Sequence, residues 1–242
     1  MKKSQSPGAV LITGAAKRIG RAIALSLARR GYDIALHYYR SGSDAQALAR
    51  AVVKLGVRCE LFGCNLFDDK ETLALTVQVA TRFPHLNLLI NNASIFQPSQ
   101  FHRDDLKLLN VHWNIHVKAP FILTSEFARI IKRGQVINIL DAGIVRHKTQ
   151  HVGYLLSKKA LAELTQLAAV QLAPQIRVNG IAPGYILPPE GKTETSLKQR
   201  IRCIPLQKKG DEEAVTRSID YLIDNHFLTG QILFVDGGEH LL

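Results

Sequence analysis

The sequence is poor in sulfur, in acid and in long apolar runs. Three cysteines in 242 residues, Cys59, Cys64 and Cys203, are an odd number without paired metal-ligand spacing, so neither a disulfide framework nor a metal site is expected. No apolar stretch approaches the length that spans a bilayer, and no membrane partner is expected. Lys2 and Lys3 precede the run Ala9-Val10-Leu11-Ile12, but that run is too short for a signal peptide and Gly14, Lys17 and Arg18 follow it at once. A reduced, cytoplasmic setting is the simplest expectation. Linkers, internal repeats and low-complexity tracts are lacking as well. With 46% hydrophobic and 21% charged residues, one folded domain is expected over residues 1–242. Acid is the remaining deficit. Twenty Asp and Glu against 31 Lys and Arg leave a formal charge of +11, which points to an anionic partner: nucleic acid, anionic membrane or phosphorylated small molecule. The basic residues are spread along the chain without a helix-turn-helix, zinc or RNA-recognition signature, so a nucleic-acid-binding module is only a remote alternative.

What is present is an alternation of short apolar runs and longer amphipathic stretches, the pattern of βα units feeding a mostly parallel sheet. Strands are predicted at Ala9–Ile12, Asp33–His37, Val57–Phe62, Leu86–Ile90, Gln135–Leu140, Arg177–Ile181 and Ile232–Val235. Helices are predicted at Ile19–Arg30, Asp44–Leu55, Lys70–Arg82, Leu106–Lys132, Tyr154–Leu172 and Asp211–Asn225. The stretch from Pro183 to Pro205 fits neither template. It holds Pro188-Pro189 and is rich in Lys and Arg, among them Lys192, Lys198, Arg200 and Arg202, which suits a loop and short helix over a site.

The first strand runs into Thr13-Gly14-Ala15-Ala16-Lys17-Arg18-Ile19-Gly20 and then an Ala-rich helix. Such a turn presents backbone N–H groups and the positive end of a helix dipole to a phosphate, although it also serves as a plain connection. Arg18 stands where the common dinucleotide fingerprint has its central glycine, and with Lys17 and Arg21 it makes the turn cationic. The second strand ends His37-Tyr38-Tyr39-Arg40-Ser41, with no acid to bind a ribose 2′-hydroxyl. The Arg40 fork and the Ser41 hydroxyl suit a 2′-phosphate and hence NADPH; the alternative is a solvated loop arginine. Further on come Asn91-Asn92-Ala93-Ser94, then Asp141, then Tyr154 with Lys158 four residues beyond it. That spacing puts phenol and ammonium on one helical face, where the ammonium is expected to lower the phenol's pKa toward a range useful for proton exchange.

The Thr-Gly turn, Asn91-Asn92-Ala93, Tyr154 with Lys158, Pro183-Gly184 and the terminal Asp236-Gly237-Gly238 together resemble the short-chain dehydrogenase/reductase superfamily, in order and over nearly the whole chain. The resemblance implies a single Rossmann-like, doubly wound α/β fold with a seven-stranded parallel sheet flanked by helices. It also implies a nicotinamide cofactor, a homotetramer or dimer, and a substrate-loop region at about 183–209. Asp141 at the usual serine position, Arg18 in the turn, and Ile95-Phe96 after Ser94 resemble pteridine reductases of the dihydromonapterin reductase type more than 3-oxoacyl carrier-protein reductases. The implied function is NADPH-dependent reduction of a pterin or folate, with a carbonyl reductase of the same superfamily as the alternative. Carried over residue by residue, the catalytic group is Asp141, Tyr154 and Lys158. The cofactor set is Gly14, Lys17, Arg18, Ile19, Tyr39, Arg40, Ser41, Asn65, Leu66, Asn92, Ala93, Ser94, Lys158, Pro183 and Gly184. Arg18, Ser94, Phe96, Asp141, Tyr154 and Tyr185 would face the substrate.

Chemistry gives a separate reason to single out Asp141. Reducing a C=N bond needs a proton at nitrogen, and a carboxyl group can pass protons as a serine cannot, so Asp141 and Tyr154 are expected as a coupled donor pair. Phe96 would stack on a flat heterocycle or pack in the core. His116 falls at the position of the superfamily's helix asparagine, judged from Ala119-Pro120-Phe121, with Asn114 the equivalent only if the helix register shifts. A histidine there would carry a proton path or merely pack.

Overall fold

The first strand, Ala9-Val10-Leu11-Ile12, is apolar at every position because both of its faces are covered. Val10 and Ile12 enter one hydrophobic cluster, and Ala9 and Leu11 enter another on the opposite face. The computed structural model describes residues 6–102, 105–147, 149–187 and 201–242. Pro188, Pro189, Lys192, Lys198 and Arg200 lie outside them, as do Lys2 and Lys3.

In chain order the elements are β1 (Ala9–Ile12), α1 (Arg18–Arg29), β2 (Asp33–Tyr38), α2 (Gly42–Val53), β3 (Cys59–Gly63), α3 (Asp69–Arg82) and β4 (Leu86–Asn91). There follow α4 (Leu106–Trp113), α5 (Ala119–Ile130), β5 (Gly134–Ile139), α6 (Val152–Leu172), β6 (Ile176–Pro183), α7 (Glu212–Asp224) and β7 (Ile232–Val235). The strands form one seven-stranded sheet in the order β3-β2-β1-β4-β5-β6-β7, and every neighbouring pair is parallel. This is the expected doubly wound, Rossmann-like arrangement. The chain reverses its direction of travel across the sheet between β1 and β4, which opens a crevice at their carboxyl ends.

Ile23, Ala24 and Leu27 of α1 and Val215, Ile219 and Leu222 of α7 cover one face, and Leu75 and Val79 of α3 with Leu123 and Phe127 of α5 cover the other. Asp68 begins α3 by accepting the N–H groups of Lys70 and Glu71, and Asp211 begins α7 by accepting that of Ala214. Arg30, at the end of α1, pairs with Asp220 at 2.8 Å and Asp224 at 2.5 Å on α7.

One predicted element needs correction. The helix expected over Leu106–Lys132 is two α-helices joined by a π-helical turn at Asn114–Lys118, in which Ala119 N–H bonds to the Asn114 carbonyl five residues back. Pro120 supplies the reason: it has no N–H for the carbonyl four residues back, so the regular ladder is broken just there.

Candidate active site

The glycine turn after β1 is held from two sides. Gly14 has a φ of +60°, and its N–H donates to His37 Nδ1 at 3.0 Å, while Ala15 N–H donates to the His37 carbonyl at 3.0 Å. On the other side Asn92 Nδ2 donates to the carbonyls of Thr13 and Gly14 at 2.9 and 3.0 Å, and Thr13 Oγ1 accepts the N–H groups of Asn92 and Ala93. Gly20 lets α1 start against this turn, because a Cβ there would lie 2.4 Å from the Gly14 carbonyl oxygen. Arg18 adopts a φ of +52°, a left-handed conformation that costs a non-glycine residue about 1–2 kcal/mol. The turn thus holds a guanidinium at a position whose backbone would favour glycine.

The start of α1 carries no acidic residue in its first turn, and Lys17 makes no side-chain cap, so its amide dipoles act as a positive site beside the crevice. That donor set fits the diphosphate of a dinucleotide. A cleft of about 770 Å³ opens there, lined by Gly14, Lys17, Arg18, Ile19, Tyr39, Leu66, Asn92, Ala93, Ser94, Phe96, Asp141, Tyr154, Lys158, Pro183, Gly184 and Tyr185 among others. Three of the expected cofactor residues are not on that wall. Arg40 is exposed, with its guanidinium 4.9 Å from the Tyr39 ring centre; Ser41 precedes α2; and Asn65 accepts the Phe67 N–H. Lys17 reaches the wall but pairs with Asp44 at 3.0 Å.

At the carboxyl end of β5, Asp141 holds its own turn by accepting the Gly143 N–H at 2.7 Å with one oxygen. Its other oxygen accepts the Tyr154 hydroxyl at 2.8 Å, which joins the two groups that the sequence singled out. The expected lowering of the phenol does not occur. Burial, the nearby Asp141 carboxylate and its hydrogen bond all hold Tyr154 well above the ordinary phenol range. Lys158 Nζ donates to the Ile139 carbonyl at 2.7 Å and lies 5.9 Å from the Tyr154 ring centre; burial pushes it down to about 8. Helical spacing brought phenol and ammonium to one face, but the ammonium found a carbonyl instead of the phenol oxygen.

Phe96 is half exposed in the cleft wall, so it is not a core side chain. It stacks on His151 at 4.2 Å and meets Tyr154 edge-on at 4.8 Å. The π-helical turn holds both residues 114 and 116. His116 is fully buried, 5.3 Å from the Tyr154 ring and hydrogen-bonded to Ser94 and Ser157.

His37 was missed by the sequence reading. Its only signal was a lone polar side chain closing an apolar strand beside the glycine turn. Its Nε2–H donates to the Cys64 carbonyl at 3.1 Å, leaving Nδ1 to accept from Gly14. Burial lowers its pKa to about 4, and that of His116 falls further. The unfolded chain takes up these protons near pH 6.5 while the folded protein does not, so stability is expected to drop as the pH falls from 6.5 toward 4. Urea unfolding across that range checks this, and a flat profile would contradict the neutral, buried state of both rings.

The family described as Enoyl-(Acyl carrier protein) reductase matches residues 14–240. The chain belongs to the short-chain dehydrogenase/reductase family. Among its relatives, a dihydromonapterin reductase from Citrobacter koseri is 29% identical, covering 100% of both chains. A 3-oxoacyl-[acyl-carrier-protein] reductase FabG from Staphylococcus aureus is 30% identical over 100% of both, and a pteridine reductase 1 from Leishmania tarentolae is 30% identical over 100% of this chain and 99% of that one. The crystal structure of FolM Alternative dihydrofolate reductase 1 from Brucella suis in complex with NADP superposes with a TM-score of 0.92 at 34% identity, covering 98% of this chain and 96% of that one. Short-chain dehydrogenases/reductases are oxidoreductases, and among the described residues of this one no helix is long and apolar enough to cross a membrane.

Proposed function

We propose that the protein is an NADPH-dependent reductase of a dihydropterin, such as dihydromonapterin or dihydrobiopterin, or of dihydrofolate. The observation that carries this reading is the 2.8 Å bond between Tyr154 and Asp141, a carboxylate at a position where carbonyl reduction would call for a hydroxyl. The cofactor when bound supplies the hydride. In this reading the turn at Gly14, the start of α1, Asn92, Ala93, Pro183 and Gly184 hold it, and Arg18 adds a cation beside its diphosphate. Tyr154 and Asp141 hold one proton between them at the cleft wall and deliver it to the substrate nitrogen, a transfer that a serine could not buffer. Lys158, fixed on the Ile139 carbonyl, keeps a positive charge beneath that pair. Phe96 offers a flat face to the heterocycle.

The reading extends to the assembly and setting. A homotetramer is supported by the exposed apolar side chains Trp113, Phe121, Leu167 and Val170 on α4, α5 and α6. No disulfide joins the three cysteines, which suits a reducing cytoplasm. A single domain over 1–242 with a substrate-facing region at about 183–209 is supported by Pro183, Gly184 and Tyr185, which bring the start of that region to the cleft; its residues 188–200 lie outside the described residues.

The test is a panel of dihydropterins, dihydrofolate and 3-oxoacyl thioesters, each with NADPH and with NADH. Oxidation of NADPH with a dihydropterin is expected; turnover of the thioesters alone would move the protein to the FabG-like reading. Within the panel, Arg40→Ala is expected to weaken NADPH by about 10- to 100-fold and NADH little, from the loss of a charged hydrogen bond to a 2′-phosphate. Equal losses would remove Arg40 from that role.

A further inference from the structure

The hydrogen bonds around His116 can be assigned proton by proton. Ser157 Oγ lies 2.7 Å from the Tyr154 carbonyl, one turn back in α6. A carbonyl oxygen only accepts, so the single hydroxyl proton of Ser157 is committed there. His116 Nδ1, 2.8 Å from the same Oγ, must therefore be the donor of that bond. Burial beside Lys158 keeps the ring neutral, which leaves a lone pair on Nε2. Nε2 accepts the Ser94 hydroxyl at 2.8 Å and, at 3.4 Å, the Ile95 N–H. The Ile95 carbonyl, at 3.4 Å, is the poorer rival for the Ser94 proton. Ser94 lines the cleft, and what it turns toward the cleft is lone pairs without a proton.

We propose that His116 is a positioning residue that makes Ser94 an obligate hydrogen-bond acceptor, so that the cleft selects a flat heterocycle presenting an amino or ring N–H donor there and rejects one presenting a carbonyl oxygen. The identity of that heterocycle rests on the pterin reading; the direction of the protons does not. A site built around one hydrogen-bonding polarity discriminates against the ligand with the opposite polarity, because two facing acceptors leave both unpaired. The contribution of His116 is thus to withhold the one proton that would let Ser94 accommodate either.

The experiment compares dissociation constants of a 2-aminopteridine and its 2-oxo counterpart, lumazine, for the enzyme loaded with NADP. The wild type is expected to prefer the amino compound by about tenfold or more. In Ser94→Ala, and in His116→Phe, which frees the serine to donate, the preference should shrink to within about threefold. A preference unchanged in Ser94→Ala overturns the proposal even if His116→Phe does not fold. The nitrogen-15 spectrum of His116 gives the second reading: a neutral ring protonated at Nδ1 is expected near pH 7, and protonation at Nε2 or a charged ring overturns the assignment. If the wild type binds neither pteridine, the pterin reading fails, while this spectrum still decides the direction of the Ser94 proton.

Discussion

Asp141→Ser is expected to lower dihydropterin turnover by about 10²- to 10⁴-fold, the usual yield of a positioned proton donor, while NADPH affinity stays nearly unchanged. The two effects separate because Asp141 is bonded to Tyr154 at 2.8 Å, whereas in the proposed reading the glycine turn and the start of α1 hold the diphosphate. Serine keeps an oxygen able to accept the Gly143 N–H, so the turn at 142–145 should be little destabilised. The variant has a second signature. Asp141 supplies both a charge and a hydrogen bond that raise Tyr154, so their removal moves the phenol down, and the alkaline limb of the pH–rate profile should move to lower pH. Full dihydropterin turnover with an unmoved limb would detach the carboxylate from proton delivery and remove Asp141 as the feature that separates this protein from carbonyl reductases.

Gly20→Ala is the other large effect, and it acts on the glycine turn proposed to hold the cofactor. The added Cβ would stand 2.4 Å from the Gly14 carbonyl oxygen, 2.6 Å from Asn92 Nδ2 and 2.9 Å from Ala15 Cα. Two of these atoms are backbone, and that backbone cannot retreat cheaply, because His37 holds the N–H groups of both Gly14 and Ala15. Overpacking of this kind costs about 1–3 kcal/mol. For a chain of this length that corresponds to a fall in Tm of roughly 2–12 °C. NADPH should weaken by about tenfold or more, since the turn that presents its N–H groups must open. Thermal melts with and without NADPH measure both. Wild-type melting and affinity together would show that α1 does not start against the turn as described.

The strands could be read from the sequence because a sheet buried on both faces leaves unbroken apolar runs, and the order of the glycine turn, Asn92, Asp141, Tyr154 and Lys158 follows from those runs. Side-chain direction was a different matter. Spacing fixes which helical face Lys158 shares with Tyr154, but not that its ammonium reaches the Ile139 carbonyl, so the direction of the phenol's shift came out reversed. The role of His37 depends on an amide 23 residues earlier, across α1, and no local pattern reports that contact. Of the expected cofactor residues in these two loops, Tyr39 and Leu66 line the cleft wall and Arg40, Ser41 and Asn65 do not, because strand-end position does not fix which way a loop side chain turns. Pro120, which served to place His116, carried a further signal: a proline inside a predicted helix marks the place where the ladder breaks.

The π-helical turn at Asn114–Lys118 also bears on how this segment tolerates changes in length. Such a turn is one residue wider than an α-helical one, and each helical residue rotates the following side chains by about 100°. Deleting a single residue there would remove the extra residue of the turn while Pro120 still interrupts the ladder, and it would swing the imidazole away from Ser94 and Ser157 or force the whole of α5 to rewind against α3. In this helix the number of residues is itself part of the active-site geometry.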